Sequence, residues 1–156
     1  MFKFNPDKYT ILDGAMGTML QKNGLTPGAV PELLSITNPQ LIESIHRSYI
    51  ESGADIVYAN TFGANALKLA NTGYSVNEVI GASVRAAKNA CSGTNAAAAL
   101  DIGPLGELLE PSGTLRFEKA CELFGEVVRA GTASGAELIV LETMTDLYEE
   151  KAGALA

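Results

Sequence analysis

Four short apolar runs divide the chain, and each ends in polar or glycine-rich chemistry. Tyr9–Leu12 leads into Asp13-Gly14-Ala15-Met16-Gly17-Thr18, and Ile56–Ala59 into Asn60-Thr61-Phe62. Ala96–Leu100 leads into Asp101-Ile102-Gly103-Pro104, and Leu138–Leu141 into Glu142-Thr143-Met144-Thr145. Between the runs the apolar positions fall at spacings of three and four, the period of an amphipathic helix. One helix is predicted to start at Asn38-Pro39, an N-cap followed by a first-turn proline, to bury Leu41, Ile42, Ile45 and Tyr49, and to stop at Gly53. A second carries Val79, Ile80, Val84 and Ala87 and ends near Ser92-Gly93, and a third runs from about Leu115 to Thr132. A fourth opens at Asp146-x-x-Glu149, which has the form of a capping box. A short helix over Gly17–Asn23, closed by Gly24, and a loop through Thr26-Pro27-Gly28 to Pro31 precede the first of these.

Strands alternating with helices predict an α/β fold with a parallel sheet whose functional groups gather at the carboxyl ends of the strands. The third run is alanine-rich and would prefer a helix by propensity. Gly93 and Pro104 bracket it too closely for a helix of useful length, so it is read as a strand. Asp13, Asn60, Asp101 and Glu142 are each roughly forty residues apart, somewhat above the ~30 per unit of a minimal (β/α)8 barrel. The expected architecture is four parallel βα units in sequential order, half of a TIM barrel. A flavodoxin-like order with rearranged strands is the chief competitor.

Composition removes several functional classes. The 156 residues make one domain, with 47% apolar residues and no apolar run near the roughly 20 residues of a membrane span. A net charge of −7 argues against nucleic-acid and anionic-membrane partners. Met1–Lys8 lacks the apolar stretch of a secretory signal, so a cytoplasmic location is expected. Cys91 and Cys121 both fall on apolar helix stripes, where a free cysteine packs as a small hydrophobe in a reducing compartment; a disulfide or a metal site is the alternative. His46, the single histidine, lies at the margin of the Ile42/Ile45/Tyr49 stripe and is read as structural or surface-exposed.

The chemistry concentrates in Asp13 and Glu142, both at strand ends. Two such carboxylates can share a proton, hold a divalent metal or clamp an ammonium group. Either alone could instead be a helix cap or a loop acid. Gly14 and Gly17 beside Asp13 let the backbone approach a ligand and aim N–H groups at an anion. An acid beside such a loop suits a zwitterion such as an amino acid. No dinucleotide or P-loop glycine motif follows any strand, and no Ser-His-Asp set can be assembled.

Read in order, Ile11-Leu12-Asp13-Gly14-Ala15-Met16-Gly17-Thr18, the segment from Ile45-His46-Arg47 to Gly53-Ala54-Asp55, Ala59-Asn60-Thr61-Phe62, Asp101-Ile102-Gly103-Pro104 and Leu141-Glu142-Thr143 resemble the homocysteine S-methyltransferase family, and in particular its cobalamin-dependent branch. The resemblance spans nearly the whole chain. It implies a (β/α)8 barrel with zinc held by three cysteine thiolates at the strand ends, where homocysteine sulfur takes the open position. The zinc-bound thiolate attacks an activated methyl group to give methionine. Methylcobalamin, recharged from methyltetrahydrofolate, is the donor in one branch; betaine or S-methylmethionine serves in others. By position, Asp13 and Glu142 match the acids that hold the amino-acid end of homocysteine. Gly14 and Ala15 match backbone contacts to its carboxylate, and Asn60, Thr61 and Phe62 fall on the pocket wall.

The chain also departs from the family. The family's zinc cysteines come late and include an adjacent pair, and this chain has no adjacent cysteines and stops after four units. Residues 1–156 are therefore expected to form the N-terminal half of the homocysteine-binding barrel, carrying the amino-acid clamp without the zinc. Such a chain should bind homocysteine weakly and be inactive alone, with cobalamin and methyltetrahydrofolate served by other modules. A different class of reading is a non-catalytic half barrel that self-assembles. Open strand edges and exposed inward side chains predict a homodimer, or pairing with the missing half. A third reading is an unrelated (β/α) enzyme using Asp13 and Glu142 as acid and base.

Overall fold

The computed structural model describes residues 3–156; Met1 and Phe2, which open the polar segment Met1–Lys8, lie outside the described residues. The elements run α1 (Met16–Lys22), a 3-10 turn (Pro31–Leu33), α2 (Leu34–Thr37), α3 (Pro39–Glu51), β1 (Ile56–Tyr58), α4 (Ala66–Leu69) and α5 (Val76–Cys91). They continue with β2 (Ala97–Ile102), α6 (Phe117–Ala133), β3 (Leu138–Leu141) and α7 (Leu147–Leu155). None of these helices is long and apolar enough to cross a membrane.

The sheet is parallel and ordered β1-β2-β3, with Ile56 opposite Ala97 and Ala99 opposite Leu138. Successive strands are neighbours, which excludes the rearranged flavodoxin-like order. The expectation of four strands needs correction. Among the described residues the sheet has three strands, and the run Tyr9–Leu12 contributes only an isolated parallel bridge between Leu12 and Ile56. It lies where a first strand would lie: the Asp55 and Ile56 N–H groups donate to the Ile11 carbonyl, and the Asp13 N–H to the Ile56 carbonyl. Among the described residues no strand pairs with its outer side. Tyr9 is 95% exposed and Leu12 49% exposed, so little apolar burial holds the run straight.

Local chemistry explains the helix ends. Asn38 accepts the Leu41 N–H at 3.4 Å, Pro39 occupies the first turn of α3, and Gly53 closes that helix at φ +105°. The complete capping box is at α5, where Ser75 Oγ accepts the Glu78 N–H at 3.3 Å and Glu78 Oε2 accepts the Ser75 N–H at 2.9 Å. At α7 the expected box is only half formed. Asp146 accepts the Tyr148 N–H at 2.8 Å, while Glu149 turns inward and accepts the Leu105 N–H, also at 2.8 Å. Burial decides its direction, because the loop after β2 leaves that amide without a backbone partner. Among the described residues the four expected main helices are α3, α5, α6 and α7, the short helix expected over Gly17–Asn23 is α1 (Met16–Lys22), and the single turns α2 and α4 were not expected.

Helices α3, α5, α6 and α7 pack side by side in chain order. Strand alternation sends Val57, Ala59, Ala98, Leu100 and Ile102 into the main core with Val79, Ile80, Val84, Phe124 and Val127. Helix α6 approaches β2 closely because residue 131 is glycine; a Cβ there would lie 2.4 Å from Leu100 Cδ2. That close cover, with β1 and β3 on either side, makes an alanine-rich segment a fully buried strand. Cys91 and Cys121 are both half-buried against this core and both free. A smaller cluster of Leu20, Ile42, Ile45 and Ala86 ties α1 to α3 and α5, and so fixes the Asp13–Gly17 segment that precedes α1.

Candidate functional site

Parallel pairing brings the carboxyl ends of β1, β2 and β3 to one edge of the sheet, and a cleft of about 500 Å³ opens there. All seven residues singled out in the sequence line it: Asp13, Gly14, Ala15, Asn60, Thr61, Phe62 and Glu142. Glu32, Tyr58 and Asp101 also line it and were not anticipated as site residues. A second groove, of about 510 Å³, lies between α2, α3 and α5. Its acids are already engaged, Glu43 by Arg47 and Asn89, and Glu78 by its capping box.

The backbone of the cleft is held from outside. Tyr49 on α3 donates its hydroxyl to the Ala15 carbonyl at 3.2 Å, and its ring leaves no room for a side chain at residue 14, where a Cβ would lie 2.9 Å from Tyr49 Cε1. Glycine is therefore required at position 14 by close approach. Asn60 donates its side-chain amide to the Pro31 carbonyl at 2.9 Å and to Ser35 Oγ at 3.2 Å. Thr61 Oγ1 donates to the Asp101 carbonyl at 2.7 Å and accepts the Asp101 N–H at 3.1 Å. These polar groups are spent on tying β1 to its neighbours, so Asn60 and Thr61 shape the wall more than they offer free hydrogen bonds. The Phe62 ring lies against Gly103, where a Cβ would meet it at 2.5 Å, and beneath Lys68 Nζ, 5.3 Å from the ring centroid. Glu142 continues the ladder beyond β3 by donating its N–H to the Ile102 carbonyl at 3.1 Å. The next residue, Thr143, sits at φ +59°, a conformation β-branched residues rarely adopt. That turn carries the chain away immediately after Glu142.

The electrostatics of the cleft are those of acids short of counter-charge. Asp13 accepts the Tyr58 N–H on Oδ2 at 3.1 Å. Burial nonetheless pushes its carboxyl up to about 7, with the Glu142 charge adding to the rise and the N–H groups of Tyr58 and of Asp13 itself opposing it. Asp101 is 7% exposed, and its Oδ1 is buried without a hydrogen-bond partner. Burial pushes it up to about 8, followed by the charges of Glu142, Asp13 and Glu32. Glu32 is buried in the 3-10 turn and accepts the Gly63 N–H at 2.7 Å. The Tyr58 phenol is raised by burial and by the same three strand-end acids. Such a site favours a cationic guest, which would repay the burial of the carboxylates.

Of the two places expected for His46, structural or at the surface, it takes the first. It is fully buried, with neither ring nitrogen hydrogen-bonded, and Nδ1 lies 3.9 Å from Asp13 Oδ2. Burial pulls its pKa down to about 4.

The residues present do not fit the family's zinc. No group of three His, Cys, Asp or Glu side chains able to hold a metal occurs among the described residues. Cys91 and Cys121 lie on α5 and α6 and do not line the cleft. The Cys91 thiol is pushed up to about 11 by burial, then by the Glu137 and Asp13 charges, which suppresses thiolate formation.

Comparison with known proteins bears on the fold and the family. Residues 10–156 match the family model for homocysteine S-methyltransferase. The chain is 35% identical to a methionine synthase of Mycobacterium tuberculosis over 92% of its own length, and 33% identical to that of Mycobacterium leprae. It spans only 13% of the length of either relative. It superposes on the crystal structure of the homocysteine methyltransferase MmuM from Escherichia coli, metallated form, with a TM-score of 0.81 and 26% identity, covering 94% of this chain and 58% of that one. A methyltransferase-type α/β sheet, strand-end acids and a match over nearly the whole sequence lead to one assignment: the chain belongs to the homocysteine S-methyltransferase family.

Proposed function

We propose that the cleft binds the amino-acid end of homocysteine and that the chain forms the first half of a (β/α)8 barrel which presents the homocysteine sulfur for methylation to methionine. The observation that supports this reading best is the convergence of Asp13, Asp101 and Glu142 from three chain segments on one cleft. The substrate ammonium would sit among these acids, and its carboxylate would meet the amides of Gly14 and Ala15 before α1. Phe62 would cover the aliphatic stem. The thiol would then point away from the carboxylates, toward the open side of the cleft. In this reading zinc would be held by residues outside this chain, and cobalamin and methyltetrahydrofolate would belong to other modules. With the clamp alone, affinity should be weak, on the order of millimolar, about 4 kcal/mol of binding free energy.

A second reading, a half barrel that assembles with itself, is favoured by the uncovered apolar surface. Leu12 lies near one edge of the sheet and Ile139 on β3 at the other, and each is 49% exposed. Either the later barrel units or a second copy could cover them.

One reconstitution separates the readings. The chain alone is expected to form no methionine from homocysteine and methylcobalamin. With a second chain carrying the missing barrel units, and with zinc, turnover should appear. Turnover by the chain alone would contradict the fragment reading. Light scattering that reports a tight assembly with no rescued turnover would favour the self-assembling half barrel.

A further inference from the structure

His46 is hard to account for as a packing residue. Helical spacing places it with Ile42, Ile45 and Tyr49 on α3, and it is fully buried. A phenylalanine or leucine could fill similar space without burying two unsatisfied ring nitrogens. The imidazole faces one acid: Nδ1 is 3.9 Å from Asp13 Oδ2. That distance is too long for a hydrogen bond and too short to admit a bridging water, so a shift of about 1 Å would close it directly. Oδ2 already accepts the Tyr58 N–H at 3.1 Å and has a second lone pair free.

We propose that His46 is a positioning residue for Asp13, donating Nδ1–H to the ionised carboxylate from beneath the cleft and fixing the orientation in which Asp13 meets a substrate ammonium group. The inference rests on the reading of the cleft as an amino-acid site. A neutral donor suits this task because it orients the carboxylate without cancelling the charge the ammonium needs. An arginine or a charged histidine in the same place would compete with the substrate. Burial keeps the ring neutral across the working range. The other groups that act on Asp13 are Glu142 after β3, Asp101 at the end of β2, Tyr58 on β1 and Cys91 at the end of α5. Glu32 on the 3-10 turn acts through Asp101.

Because His46 is the single histidine, nitrogen-15 labelling of histidine gives an unambiguous signal without assignment. Long-range proton–nitrogen correlation of the whole chain between pH 5 and 9 should show a neutral ring with the proton on Nδ1 at the alkaline end. Its Nδ1 shift should inflect near pH 7 as Asp13 ionises. In Asp13→Asn the inflection should vanish while the ring stays neutral. A proton on Nε2 at high pH, a flat Nδ1 profile, or an inflection that survives in Asp13→Asn would overturn the proposal. Homocysteine added to the same sample keeps the two readings apart. If no cleft amide shifts, the amino-acid reading fails while the His46–Asp13 bond is judged by the titration alone. If the cleft amides shift, His46→Phe should weaken binding about tenfold and His46→Gln, which keeps a donor, should restore most of it. Equal binding by His46→Phe and the wild type would refute the positioning role.

Discussion

Asp101→Asn is expected to stabilise the protein at pH 8 by about 2 kcal/mol or more, and to change little at pH 4. Asp101 ionises at about 8 in the folded chain against 3.8 as a free side chain, and Asp13 at about 7. The folded state therefore holds protons that the unfolded state has lost throughout the interval from roughly pH 4 to 8. Where the native state binds more protons, stability falls as pH rises. The favourable contribution is complete below the unfolded value and is lost as pH passes through the folded one. Asparagine keeps the shape and removes the charge, so the benefit should appear on the alkaline side. Each tenfold difference in proton affinity between the folded and unfolded chain is worth about 1.4 kcal/mol. His46 works in the opposite sense. Its folded value of about 4 lies below the ordinary 6.5, so its contribution is present above pH 6.5 and is lost as pH falls toward 4. The alkaline limb thus isolates the carboxylates. Urea unfolding of both proteins at pH 4 and pH 8 tests this, and equal effects at the two pH values would contradict it.

Phe124→Ala is expected to cost about 3–5 kcal/mol of stability. Phe124 is the largest fully buried side chain and lies in the main core, on α6. It also borders the small crevice behind Thr61, Phe62 and Gly103, and so backs one wall of the cleft. Removing it leaves a cavity beneath a strand end that is held by hydrogen bonds to Asp101. A single domain holds only about 5–15 kcal/mol in total. The variant should therefore be largely unfolded at modest urea, with its midpoint far below that of the wild type and an unchanged denaturant slope. A loss under about 1 kcal/mol would mean that the core repacks around the gap.

The strand runs, the helices α3, α5 and α6, and the two terminal acids were legible because periodicity, caps and strand-end polarity are local signals. Asp101 was legible by the same rule that picked out Asp13 and Glu142. It also ends an apolar run, but the candidate site was built on Asp13 and Glu142 and left it out. Glu32 could not be found this way, since it reaches the cleft from a 3-10 turn and owes its place to the amide of Gly63. Helical spacing places His46 at the margin of an apolar stripe and leaves open whether it is structural or surface-exposed. Burial settles that, while the Asp13 carboxylate across from the ring is set by tertiary packing and has no local signal. The first run was over-read. Tyr9–Leu12 has strand-like composition, yet it is largely exposed and meets β1 through one bridge alone, Leu12 to Ile56. The Glu149 box failed for a related reason: a buried amide at Leu105 competes for the carboxylate.

Whether the cleft recognises the ammonium group of an amino-acid thiol is decided by matched titrations followed by amide proton–nitrogen correlation. Homocysteine is compared with 4-mercaptobutanoate, which keeps the thiol, stem and carboxylate and lacks the amine. Saturable shifts with homocysteine are expected at residues 13–17, 58–62 and 142–143, stronger at pH 8 than at pH 6 because Asp13 and Asp101 lose protons over that range. Binding of the deaminated compound should be at least tenfold weaker. Equal binding of the two compounds, or shifts confined to the groove between α3 and α5, would contradict recognition of the ammonium group.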